Sequence, residues 1–257
     1  MAETKKKIRI TTDCGLLEEN DIDMIFFHVI TENGRFYDRD EMTAENVFEH
    51  MDGGGLKAEA ESPSIQEYVD FFRKNLRNYD KIVHVSMSGA IGDAYKNAME
   101  ATRRMGFSGE KVMVVDSQSI SAGVGLLAMH AADMVADGKD ASDIYLALER
   151  IKHKVVTSFI VPDAYYFYLN DKVNFYVVKL IEMFQLRPVV KLRDGKIKFA
   201  YFLAGNYQNA IKKYIKYNLR RANRRINKRR VFLTHSACNV KTVQAAKKEI
   251  DYIAKFG

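Results

Sequence analysis

Twice in the first half of the chain, an apolar run passes through a turn of small residues straight into a helix-forming stretch. Lys81 to Met87 is a β-branched run, Ser88 to Gly92 a small-residue turn, and Asp93 to Met105 a helix. Val112 to Ser117 begins the same order again and leads to helices over Gly125 to Val135 and Ser142 to Lys154. Strands alternating with helices imply a parallel sheet covered on both faces. Ile8-Arg9-Ile10-Thr11-Thr12-Asp13 reads as a further buried strand that ends on Asp13. Ligands of such sheets gather at the carboxyl ends of the strands. Here those ends carry Asp13, Ser88 and Asp116-Ser117, a rim of small polar groups.

The remaining signals fit around this sheet. Met24 to Ile30 is a second strand candidate, and a turn at Glu32-Asn33-Gly34-Arg35 leads into Phe36-Tyr37-Asp38. Thr43 starts a capped helix that ends at Asp52-Gly53-Gly54-Gly55. Ser62-Pro63-Ser64 combines a helix N-cap with Pro at the first helical position, ahead of an amphipathic stretch to Leu76. After Thr157 the texture changes. An aromatic-rich stretch, Phe159 to Phe175, precedes Leu186 to Val190, and Asp194-Gly195 heads a turn into Lys196 to Phe202, an antiparallel hairpin. A long helix is expected from Asn206 to about Asn227, then a strand from Arg230 to Thr234 and a helix from Lys241. The fold class is therefore α/β: an N-terminal parallel-sheet domain of nucleotide-fold type over residues 1–157, and a smaller C-terminal α/β domain with antiparallel strands over 158–257.

Composition removes several classes of function. Of the 257 residues 47% are hydrophobic and 28% charged, the balance of an ordered globular protein. No apolar run approaches the roughly 20 residues of a membrane span, and Met1 to Lys7 offers no apolar signal region, so the expected location is the cytoplasm. Cys14 and Cys238 are the two cysteines, and no Cys/His cluster has metal-ligand spacing; neither a disulfide framework nor a metal site is expected. Between Gly195 and Lys248 stand fifteen Lys or Arg and no acid. Since the whole chain carries +7, that +15 leaves −8 elsewhere, so the basicity is local.

Each candidate site has two readings. Ser88-Gly89-Ala90-Ile91-Gly92, where strand turns into helix, is either an anion-binding turn or a packing turn; it lacks the Lys of a P-loop. The ten Lys or Arg from Lys212 to Arg230 form a solvated helix face or a surface for nucleic acid or an acidic protein. With a continuous apolar face and no nucleic-acid motif, nucleic acid is the disfavoured partner. His84 in a strand and His130 in a helix read as structural. His235 ends a strand, without a nucleophile elbow to make a Ser-His-Asp site. The aromatics from Phe159 to Phe184 serve either a core or an acyl-chain tunnel.

Several segments, in order and spacing, resemble the DegV family. They are Thr12-Asp13-Cys14, Gly34 with Phe36-Tyr37-Asp38, Ser62-Pro63-Ser64, the run Ile82 to Ala98, Val115 to Gly125, Arg187-Pro188-Val189 and Asp194-Gly195-Lys196. The resemblance implies a non-enzyme that encloses a long-chain fatty acid or related acyl lipid between two domains and presents it to a partner such as a fatty-acid kinase. It implies no further cofactor. Family members hold the carboxylate with two hydroxyls, and those positions fall on Ala60 and Gly92 here, with Asp93-Ala94 following. A replacement donor is then required, because an ionised carboxylate left unpaired in a poorly hydrated site is costly. Ser62, Ser88 and backbone N–H groups around Gly92 to Ala94 are the nearest candidates. Glu61 and Asp93 repel a carboxylate unless a basic group compensates. Gly89, Asp13, Ser117 and His235 complete the expected ligand-binding set. The family's final strand and His-bearing glycine loop, placed near the head group in relatives, have no counterpart after the helix at Lys241.

Overall fold

The computed structural model describes residues 7–13, 22–107, 109–161, 174–222, 229–236 and 238–256. It divides into two compact units. The first contains residues 1–42, 59–157 and 192–196, and the second 43–58, 158–191 and 197–257. Residues 43–58 thus fall in the second unit, and residues 192–196, at the tip of a hairpin, in the first.

The first unit is built on strands β1 (Ile8–Thr12), β2 (Asp23–Met24), β6 (Lys81–Ser86) and β7 (Val112–Asp116), which form a parallel sheet in the order β2-β1-β6-β7. Period-two alternation sends Ile82, Val112 and Val114 to one face, where they pack with Tyr68, Val69 and Phe72 of helix α2 (Ile65–Asn75) and Ala98 and Ala101 of α3 (Ala94–Arg104). The small α3 residues let that helix approach closely. Val83, Val85 and Val115 lie on the opposite face, where α4 (Ala122–Ala136) and α5 (Ala141–Ile151) meet the sheet. Cover on both faces explains why β6 is apolar at the successive positions Ile82 and Val83, and again at Val85, rather than at alternate ones.

Beside this sheet stands a three-stranded antiparallel one, with β3 (His28–Thr31) flanked by β4 (Gly34–Tyr37) and β5 (Glu59–Glu61). The single strand expected over Met24 to Ile30 is therefore two strands in different sheets. Ile25 donates its N–H to Thr12 O and Phe27 accepts from Asp38 N, so one apolar run changes partner midway. The start of α2 also differs from the expectation. Ser64, not Ser62, is the N-cap, because Glu67 three residues on completes a reciprocal capping box: the Glu67 N–H donates to Ser64 Oγ and its carboxylate accepts the Ser64 N–H. Ser62 is followed at that spacing by Ile65, which can return no such bond.

The second unit holds α1 (Ala44–Asp52), β8 (Ser158–Ile160), α6 (Phe175–Met183), β9 (Leu186–Arg193), β10 (Lys196–Ala204), α7 (Tyr207–Ala222) and α8 (Val240–Ile253). Its sheet runs β10-β9-β8. Asp194 (φ +52°) and Gly195 (φ +74°) make the two-residue turn between β9 and β10, the left-handed pair that a tight hairpin requires. Ile211 and Ile215 of α7 pack on Ala246 and Ile250 of α8. The helix α6 was not expected from the sequence. The strand expected over Arg230 to Thr234 is absent: Val231 to Thr234 form no ladder, and without a neighbour the β-branched pattern has no hydrogen bonds to make. Residues 223–228, the expected end of α7, lie outside the described residues, as do Cys14 and residues 162–173 of the aromatic stretch.

Candidate functional site

The strand ends meet as expected, but most of their polar groups are engaged with one another. Asp13 is buried at the end of β1. Its Oδ2 accepts from Tyr68 Oη at 2.8 Å and from Ser86 Oγ, and its Oδ1 accepts from the Met87 N–H at 2.7 Å. Three donors leave this carboxylate little capacity for a ligand, and they tie β1 to β6 and α2. Ser88 is also buried. It donates from Oγ to Gly195 O at 2.7 Å and accepts there from the Ala90 N–H at 3.3 Å, so its hydroxyl binds the tip of the β9–β10 hairpin to the turn before α3. A Cβ on Gly195 would lie 2.5 Å from Ser88 Oγ, so glycine is required there for space as well as for φ.

The β7–α4 loop is equally self-bonded. Asp116 Oδ1 accepts from the N–H groups of Gly89 (3.3 Å) and Gln118 (2.9 Å). Ser117 Oγ donates to Ser119 O and accepts from the Ser119 N–H. Ser119 Oγ lies 2.7 Å from Thr157 Oγ1. Two non-glycine residues of this loop have left-handed backbone, Gln118 (φ +52°) and Ser121 (φ +45°), each at a cost of order 1–3 kcal/mol. The Asp116 carboxylate holds the first of them.

One hydroxyl is left over. Ser62 has no hydrogen-bond partner among the described residues, and its Oγ lies 3.4 Å from where a Cβ on Gly92 would stand. Gly92 leads into α3, whose N-cap, Asp93, makes no side-chain cap, so the first N–H groups of the helix are open. A free hydroxyl, a residue without a side chain and an uncapped helix start thus meet on one side of the rim. Such an arrangement can hold a small anion. Ala94 is buried; Asp93 and Gly89 are exposed. Ala60, at the centre of β5 and paired with Val29, is exposed and brings only a methyl group.

The repulsion expected from Glu61 has a counter-charge that sequence reasoning missed. Arg35 on β4 places Nε 2.5 Å from Glu61 Oε2 and Nη2 3.1 Å from His28 Nδ1. Since arginine only donates, Nδ1 accepts, and the His28 ring proton is on Nε2, 3.1 Å from Glu67 Oε1 but out of hydrogen-bond alignment. Burial opposes ionisation of Glu67, yet the bonds to Ser64, with His28 and Arg35 nearby, hold its carboxyl below the ordinary range. The Ser64–Glu67 spacing was the only part of this network with a local signature.

The remaining histidines divide. His84 is buried with Nδ1 2.9 Å from Thr11 Oγ1 and Nε2 3.5 Å from Asp13 Oδ2. This has the order of a hydroxyl, imidazole and carboxylate triad, but all three are enclosed by Tyr68, Phe71 and Phe72, out of reach of a substrate. His130 is half-buried on α4. His235 is exposed in an irregular segment of the second unit, not at a strand end, and the other residues of the expected set all belong to the first. Among the described residues no His/Cys/Asp/Glu group can hold a metal ion, and no helix is long and apolar enough to cross a membrane. Lys212 and Lys213 are exposed on α7, whereas Lys216 lies 3.5 Å from Glu249. Among the described residues of the aromatic stretch, Val178 and Ile181 of α6 are buried and pack with Leu186, whereas the aromatic Tyr176, 77% exposed, and Phe184, like Met183, face outward.

Comparison with known proteins accords with this architecture. A family model described as "Uncharacterised protein, DegV family" matches residues 7–255. A DegV domain-containing protein of Clostridium acetobutylicum is 23% identical over 203 residues, 76% of this chain and 71% of the relative. A DegV family protein from Ruminococcus gnavus, solved with vaccenic acid, superposes with a TM-score of 0.78 at 14% identity, covering 97% of this chain and 90% of that one. The fatty acid kinase (Fak) B3 protein of Streptococcus pneumoniae, loaded with linoleic acid, gives a TM-score of 0.69 at 16% identity over 84% and 79% of the two chains. At these identities the structural matches establish a shared fold.

Proposed function

This chain belongs to the DegV family, and on that premise we propose that it is a non-catalytic carrier that encloses a long-chain fatty acid and presents it in the cytoplasm to a partner such as a fatty-acid kinase. The observation that carries the reading is the free Ser62 hydroxyl beside Gly92 at the uncapped start of α3. Around it Asp13, Ser88, Asp116 and Ser117 are spent on internal bonds. Ser62 and the α3 N–H groups therefore take over the head-group contacts that Ala60 and Gly92 cannot make, and Arg35 offsets the charge of Glu61. The chemistry asked of the site is binding alone, and the hydroxyl–imidazole–carboxylate arrangement seen among the described residues lies in the core.

Two neighbours of the same fold carry fatty acids, vaccenic acid in one and linoleic acid in the other, and the second is a fatty acid kinase B3 protein, which supports both the ligand class and the partner class. Native mass spectrometry of protein purified from cells tests the reading: a co-purifying acyl species of fatty-acid mass is expected. A reproducible absence of any such species, together with no binding of added oleic acid, refutes it.

A further inference from the structure

Resting on that reading, we propose that Arg35, with His28 and Glu67, is a positioning clamp that sets the Ser62 hydroxyl for the head group and neutralises Glu61 beside it. The segment Glu61-Ser62-Pro63-Ser64 is gripped at both ends by one network. At its start Glu61 meets the Arg35 guanidinium, and β5 pairs with β3 so that Glu61 lies opposite His28. At its end the Ser64 N–H donates to Glu67 Oε2 at 2.7 Å, and the same oxygen is 3.5 Å from Arg35 Nη2. His28, with 2% of its side chain exposed, stands between the two jaws and packs at a tilt of 44° against Tyr37, with a centroid distance of 4.6 Å. Ser62 carries the one polar side chain in the span that the network does not engage.

The clamp does little for stability, because Arg35 and Glu61 are each about half exposed and such pairs contribute roughly 0–1 kcal/mol. Its electrostatic effect on an anion is larger in kind. With Arg35 the cluster Arg35, Glu61 and Glu67 carries one net negative charge; without it, two. Removing that guanidinium therefore opposes a carboxylate at Ser62 while leaving an uncharged head group unaffected. Arg35 acts through Glu61 and the segment that carries Ser62, so it is a positioning residue.

The wild-type chain and its Arg35→Met variant, whose partly exposed site tolerates the change, separate the possibilities. Titrated with oleic acid and with oleyl alcohol, the variant is expected to lose roughly three- to tenfold in acid affinity and less than twofold in alcohol affinity. Equal losses for both ligands, or no loss for either, overturn the clamp. Hydrogen exchange read by mass spectrometry over residues 59–64 is a ligand-free measure. There the variant is expected to exchange several-fold faster than the wild type, with β6 and β7 unchanged. If the wild type binds neither ligand, the carrier reading falls and the exchange result alone decides the clamp, unchanged exchange refuting it.

Discussion

Gly123 opens α4 at a point where the chain leaves no room for a methyl group. A Cβ built there would lie 1.9 Å from Ser119 Oγ and 2.1 Å from Thr157 Oγ1, and those two hydroxyls are bonded to each other at 2.7 Å. Both are in buried residues. Gly123→Ala must push at least one of them aside. A buried hydroxyl deprived of its partner costs about 1–3 kcal/mol, and forcing an extra methyl into a filled site adds about 1–3 kcal/mol. The expected loss is therefore about 2–6 kcal/mol, a large share of the roughly 5–15 kcal/mol that holds a domain together. Urea unfolding followed by far-ultraviolet circular dichroism reads it directly. With a slope of about 2–3 kcal/mol/M for a protein of this size, the midpoint should fall by at least about 0.7 M. The control is Gly123→Ala combined with Ser119→Ala and Thr157→Ala. Removing both hydroxyls empties the space the methyl needs and leaves no polar atom unpaired, so the triple variant should be more stable than Gly123→Ala alone. A midpoint shift below about 0.3 M for the single variant, or a triple variant that is no better, would refute the steric account.

Three further outcomes are expected. Because the Glu67 carboxyl is held below its ordinary value of 4.5, its contribution to stability is complete above that pH and is lost as pH falls through the lower folded value. Glu67→Gln, which preserves the capping geometry, should accordingly flatten the acid side of a plot of melting temperature against pH; an unchanged slope contradicts this. Asp13→Asn keeps the shape of a fully bonded carboxylate but weakens charge-assisted bonds, so it should cost about 2–4 kcal/mol in urea unfolding while the ratio of oleic acid to oleyl alcohol affinity stays the same. A change in that ratio would mean that Asp13 contacts the head group. Gly92→Ser places a second hydroxyl beside Ser62, with only the flexible end of Met87 at 3.1 Å to move, and should tighten oleic acid binding several-fold. Calorimetric titration showing weaker binding would relocate the head group.

The sequence determined the layers of this protein because its strongest signals are local. β-branched strands such as Ile82 to Val85, apolar toward both faces and followed by small residues and an amphipathic helix, admit one solution, a parallel sheet with helices on both faces. Asp194-Gly195 needs no more than its two positive φ angles to be a hairpin turn. Where an element depends on a distant partner, the local signal misleads. Met24 to Ile30 is one apolar run that two sheets share, and Val231 to Thr234 has strand composition but no neighbouring strand to pair with. The rim divides in the same way. That Asp13, Ser88 and Ser117 stand at strand ends follows from the order of elements. That the side chains of Asp13 and Ser88 are consumed internally, while Ser62 is left free, follows from Tyr68, Ser86 and Gly195, residues up to 107 positions away in the chain. Only the tertiary structure could bring Arg35 to Glu61, 26 residues on, because that meeting is set by β4 and β5 both pairing with β3. A hydrogen bond or a charge acts over a few ångströms of space, and sequence separation says nothing about which groups will come within that reach.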